Sequence, residues 1–152
     1  MTSASGTGTG DAQEPLPRSE FAFPGPLRER LVAAILDGTK TATTSLLREY
    51  EHEGEGLPVP GVRTAVVDSA DVAVAVIETT EVRIVPLSEV DDAHARDEGE
   101  GHETAAAWRT AHETYWHSGR MRSALGDSAF TVDDATPVVL ERFRLVDDLR
   151  PG

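Results

Sequence analysis

Apolar residues recur along this chain with two periods. Leu27, Leu31, Ala34 and Ile35 fall on one stripe at helical spacing, which predicts an amphipathic helix over 27–37. Gly25-Pro26 puts a proline in its first turn, and Gly38 is the expected left-handed stop. A short helix is expected near 45–50, and 52–61 is loop by its Gly, Pro and Glu content. Period-two runs predict strands over 62–68 and 72–85, joined by a turn at Ser69-Ala70-Asp71. In the longer strand Val72, Val74, Val76, Glu78, Thr80, Val82 and Ile84 share a face, so Glu78 interrupts an apolar row. Either Glu78 points into a pocket, or a bulge near Thr79-Thr80 turns it outward.

Pro86 ends that strand, and helices are expected over 87–96 and 103–117. In the second, Ala105, Trp108, His112, Tyr115 and Trp116 lie close to one face, a stripe that reads first as core packing. The stretch 119–134 shows no clean period, although Arg120 and Arg122 form a small basic cluster, and 137–146 is a closing strand. Helices precede and interrupt strands that are joined by hairpins rather than crossovers. That predicts an α+β fold with an antiparallel or mixed sheet curled into a small β-barrel. Residues 1–18 are rich in Gly, Ser, Thr, Ala and Pro and are expected to form a disordered tail, leaving 19–152 as a single domain.

Charge narrows the possible partners. Fourteen Lys+Arg stand against 27 Asp+Glu, a net charge of −13, which argues against broad binding to a phosphate backbone but leaves room for a pocket holding one nucleoside. The chain has no cysteine, hence no disulfide or thiolate chemistry. No apolar run approaches the roughly 20 residues needed to span a bilayer, and the first residues lack the parts of a signal peptide. A cytoplasmic protein without a membrane partner is the expectation. The glycines fit neither phosphate-loop nor dinucleotide fingerprints, so ATP is not expected, and no G-x-S-x-G hydrolase elbow occurs. His112 and His117 are five apart, which splays their rings on a helix, and no H-E-x-x-H is present; neither a metal nor a cofactor is expected.

One stretch stands out against this acidic background. Gly38-Thr39-Lys40-Thr41-Ala42-Thr43-Thr44-Ser45 sets a lysine among hydroxyls directly after a helix stop. The turn has two readings. It is a helix–turn–helix corner capped by Thr43 or Ser45, or its free N–H groups and Lys40 bind an anion or a carbonyl oxygen. The acidic turn containing Glu98 and Glu100 has the same ambiguity: a solvated charge run at a helix start, or carboxylates able to modulate a buried lysine.

The ordered segments resemble the ASCH domain, a branch of the PUA-like superfamily. The likeness rests on Gly38, Lys40 and Thr43 as Gly-x-Lys-x-x-Thr; on Leu57-Pro58…Gly61; and on Ile77-Glu78-Thr79-Thr80-Glu81-Val82. It continues through His94-Ala95…Glu98-Gly99-Glu100-Gly101, Trp108-Arg109…His112 and Glu141-Arg142-Phe143. Val62 and Pro24-Gly25-Pro26 depart from the family pattern at what would be the pocket rim. The resemblance implies a PUA-like small β-barrel with a helix-lined cleft for RNA or a modified nucleoside. It also implies similarity to the small bacterial N4-acetylcytidine amidohydrolases, whose working residues fall on Lys40, Thr43 and Glu98. In that reading neutral Lys40 takes the Thr43 proton, Thr43 attacks the acetamide, and Glu98 passes a proton to the leaving amine. Gly38, Thr44, Ser45, Glu78, Glu100, Trp108, His112, Trp116 and Arg120 are the expected substrate-binding residues. The alternatives are a non-catalytic RNA-binding module, with Tyr115 or Trp116 stacking a base, and a ribonuclease.

Overall fold

The computed structural model describes residues 15–151. Its elements in chain order are β1 (Arg18–Ser19), α1 (Pro26–Asp37), β2 (Ala42–Leu46), α2 (Leu47–Glu53), β3 (Arg63–Val67), β4 (Ala73–Pro86), α3 (Asp92–Asp97), α4 (Ala105–Trp116), α5 (Gly119–Leu125) and β5 (Pro137–Asp148). Most of the expected tail lies outside the described residues; within them, Arg18 and Ser19 pair in parallel with Ala65 and Val66. The expected α+β class holds: one mixed five-stranded sheet, ordered β1-β3-β4-β5-β2, with flanking helices. The expected closed barrel is instead an open sheet, with the two-residue β1 and the short β2 as its edges.

Alternation along β5 sends Val138 and Leu140 into one core with Leu46, Trp108, Trp116 and Leu125, and Phe143 into the other. That second core gathers Leu31, Val32 and Ile35 of α1 over Val66, Ala75 and Ile77. Trp108 and Trp116 are both shut from solvent, so the aromatic stripe is core packing as its spacing suggests.

Three local expectations change. The run 42–46 is a strand, not a helix corner: its β-branched threonines pair antiparallel with Arg142–Val138, and the helix begins only at Leu47. There the Glu49 carboxylate reaches back to accept from the Leu46 N–H at 2.8 Å. The buried face of β4 is Ala75, Ile77 and Thr79, the opposite parity from the valine row, and Val72 is exposed. Both faces of this strand are apolar at its start, so a period of two cannot choose between them. Helix 87–96 is interrupted: a single 3-10 turn ends at Glu89, and Asp91 then caps α3 by accepting from the His94 N–H at 2.9 Å. Among the described residues no helix is long and apolar enough to cross a membrane.

Candidate functional site

Gly38 ends α1 at φ 88°, and the N–H groups of Thr39 and Lys40 both return to the Ala34 carbonyl. This tight stop swings the chain so that Lys40 turns inward just before β2. From the other side comes the α3 terminus. Gly99 has φ 70°, and a Cβ there would collide with Thr39 O and lie 2.8 Å from Lys40 Cα. Only glycine permits that approach. The Thr41 N–H donates to Asp97 O at 2.9 Å, and Arg142 grips the Asp97 carboxylate at 2.7 Å, closing the junction.

Lys40 is 2% exposed. Its Nζ donates to Ala42 O at 2.8 Å, Glu98 O at 3.3 Å and the Glu100 carboxylate at 3.3 Å, matching the three protons of an ammonium. Glu98 Oε1 lies 3.9 Å from it, and both side chains are inaccessible to solvent. The other carboxylate oxygen of Glu98 is fixed from two sides. The Thr44 hydroxyl donates to it at 2.5 Å, and His94 Nε2 lies 3.0 Å from it and 2.8 Å from the hydroxyl. Because the Thr44 proton goes to Glu98, this network assigns the His94 proton to Nε2.

His112 completes the cluster from α4, with Nε2 3.4 Å from Glu98 Oε1, Nδ1 bonded to the Trp108 carbonyl at 3.0 Å, and its ring stacked on Trp108 at 4.1 Å. Burial alone would push the Glu98 carboxyl up. Hydrogen bonds from His112 and His94, with the charge of Lys40, overcome it and hold Glu98 well below the usual carboxylate range. His112 moves the other way: burial opposes its charge, but the Glu98 carboxylate and the charge of Glu100 raise it.

Above the cluster opens a cleft of ≈ 1160 Å³ bordered by Thr43, Thr44, Ser45, Glu98, Glu100, His112 and Trp116, with Phe21, Tyr50, Thr79, Tyr115 and Glu141. The wall is acidic. Glu20, Asp37, Glu49, Glu53, Glu55, Glu98, Glu100 and Glu141 line it against Arg18, Arg28 and Arg30. Arg28 is itself buried, tied to the carbonyls of Phe21 and Ala22, where it holds the aromatic rim in place.

Four expected site residues lie elsewhere. Gly38 shapes the turn but does not border the cleft. Glu78 sits between Arg63 and Arg144, at 3.0 and 3.2 Å, because the register pairs it with both and the buried face has the other parity. Trp108 is wholly buried beneath His112, and the Arg120 guanidinium packs over the Phe23 ring at 4.3 Å. Thr43 does border the cleft, yet strand alternation points it away from the Thr44–Glu98 contact, and none of Lys40's three hydrogen bonds goes to it. His94, Thr79 and Glu141 belong to the site but were not singled out for it. The spacing of four between His94 and Glu98 was a usable signal; the positions of Thr79 and Glu141 depend on strand register.

One oxygen each of Glu98 and Glu100 and a nitrogen of His112 lie within 4.8 Å of one another, a donor set that suits a divalent cation. Lys40 already supplies a positive charge there, 3.3 Å from Glu100, and an ion would compete with it. His117 is distant from this use, its Nε2 accepting from the Val132 N–H at 3.0 Å.

The family model for the ASCH domain matches residues 20–147. The ASCH domain of Lactobacillus crispatus JV V101 superposes with a TM-score of 0.70 at 27% identity, over 85% of this chain and 79% of that one. Protein EF3133 of Enterococcus faecalis V583 gives 0.67 at 29% identity, over 79% and 69%. No curated protein matches. A match over this span, with the PUA-like arrangement of one mixed sheet and flanking helices, settles the family: the chain belongs to the ASCH domain family, whose members generally bind RNA.

Proposed function

We propose that the cleft takes a single nucleoside lacking phosphate and hydrolyses an N-acyl amide on its base, as the resemblance to N4-acetylcytidine amidohydrolases implies. The observation that carries this reading is the buried Lys40–Glu98 pair under an acidic cleft. A nucleic-acid chain brings a charge at every step, and eight carboxylates against three guanidiniums would repel it. A neutral nucleoside meets no such penalty, and the half-buried Tyr115 offers an aromatic edge for a base.

The chemistry is acyl transfer. Thr43, whose hydroxyl makes no hydrogen bond among the described residues, is the nucleophile. The Lys40 ammonium, buried next to the cleft-lining Glu98 and Glu100, acts through its field on negative charge growing at the carbonyl oxygen rather than by a direct hydrogen bond. Glu98, held ionised, balances Lys40 and His112 and orients both. The general RNA binding of the family favours a second reading, a non-catalytic module that holds one unpaired base of an RNA. Incubation with N4-acetylcytidine separates them: release of cytidine supports hydrolysis, while binding of a short RNA without product supports the module.

A further inference from the structure

Thr43 needs a partner for its proton, and neither Lys40 nor Glu98 is placed to be one. Lys40 has three acceptors, and Glu98 sits on the Thr44 side of β2, the face opposite to Thr43 by strand alternation. The residue directly opposite Thr43 in the β2–β5 ladder is Glu141. Directly opposed residues of an antiparallel pair present their side chains on one face, with Cβ atoms about 5 Å apart. Both residues border the cleft. The Thr79 hydroxyl donates to Glu141 Oε2 at 2.7 Å and fixes the carboxylate, while Oε1 has no hydrogen bond among the described residues. The titratable groups facing Glu141 are Lys40, from the turn before β2, and Tyr50 of α2. Burial pushes the Glu141 carboxyl up, against the Thr79 bond and the charge of Lys40. Glu98, near the same ammonium, is displaced downward. Two carboxylates displaced in opposite directions suit different tasks, one a fixed counter-charge and one a group that takes up and returns a proton more readily.

We infer that Glu141 is the general base and acid for Thr43, an inference that rests on the acyl-transfer reading above. As Thr43 Oγ1 bonds to the acyl carbon, its proton passes to the Glu141 carboxylate. As the C–N bond breaks, the electron pair stays on nitrogen, which takes that proton and leaves as the amine. Water then attacks the acyl-threonine, passing a proton through Glu141 to the threonine oxygen and releasing the carboxylic acid. The sum is amide plus water to acid plus amine, with nothing oxidised or reduced.

The test uses p-nitrophenyl acetate, a small neutral acyl donor, with acetylation of Thr43 counted by mass spectrometry in quenched digests of the full chain. Wild type is expected to acetylate faster as pH rises; Glu141→Gln is expected to slow acetylation about 100-fold and to remove that rise. Glu141→Asp is expected to restore part of the rate. Melting temperatures of both variants within a few degrees of wild type would show that the loss is not one of folding. Acetylation of Glu141→Gln at the wild-type rate, or no acetylation of Thr43 in wild type, would overturn the inference. The ester is not a nucleoside, so acetylated Thr43 beside inert N4-acetylcytidine would reject the substrate reading and leave Glu141 its role.

Discussion

Lys40 Nζ and Glu98 Oε1, from segments 58 residues apart, meet 3.9 Å from one another with no solvent access to either side chain. Such a pair is weak evidence of stability as a pair but costly to break singly, because the remaining charge stays buried. Lys40→Met is therefore expected to destabilise the chain by about 3–5 kcal/mol in urea unfolding at pH 7. Part of that loss should return on acidification, as Glu98 protonates. A loss within about 0.5 kcal/mol would mean that the two charges are not buried together.

His112 and Glu98 set a pH window. A histidine raised from 6.5 contributes stability that is whole below that value and fades as pH climbs through the folded one. A carboxylate lowered from 4.5 contributes stability that is whole above that value and fades as pH drops through the folded one. Their joint contribution is therefore full between 4.5 and 6.5. Following the His112 ring by NMR should give a midpoint above 6.5 in wild type, falling in Glu98→Gln. An unchanged midpoint would remove Glu98 as the cause.

Gly99 is the hinge of the site. Its φ of 70° and the collision of any Cβ with Thr39 O imply strain of about 1–3 kcal/mol for Gly99→Ala, plus whatever the turn must yield. Loss of stability should be accompanied by loss of ligand binding, since Lys40 and Glu98 are brought together by this contact. Gly101→Ala, with nothing within 4 Å of its Cβ but φ 90°, should carry backbone strain alone and keep the site. Calorimetry of both variants with cytidine decides it; equal effects would contradict the close-approach argument.

The acidic wall predicts a ligand preference. Cytidine should bind more tightly than cytidine monophosphate at low salt, and added salt should narrow the gap by screening. Tighter binding of the monophosphate would show that the ligand's phosphate avoids the carboxylates and finds Arg18 or Arg30.

Much of this arrangement was legible in the chain. The stripe of α1, its Gly38 stop and the closing strand follow from periodicity and punctuation, and the Lys40 turn announced itself by lysine among hydroxyls. The threonines of β2 misled because a hydroxyl run serves equally as helix caps or as a β-branched edge strand, and pairing with β5 decides between them. Glu78 stayed open between pocket and outward turn for a related reason: with valines on one face and Ala75 and Ile77 on the other, only packing against α1 fixes which side is inner. The structure shows the outward placement, with a register shift between Thr79 and Glu81. Contacts such as Thr44–Glu98 and Thr79–Glu141, separated by 54 and 62 residues, exist through register and helix placement. No local pattern carries that information.

The most direct measurement is absorbance-monitored hydrolysis of N4-acetylcytidine by wild type beside Thr43→Ala and Lys40→Arg, each verified as folded by its melting transition. The account predicts cytidine release by wild type and a fall of at least about 100-fold in both variants. Absence of turnover by wild-type protein at high concentration, or full activity in Thr43→Ala, would contradict it.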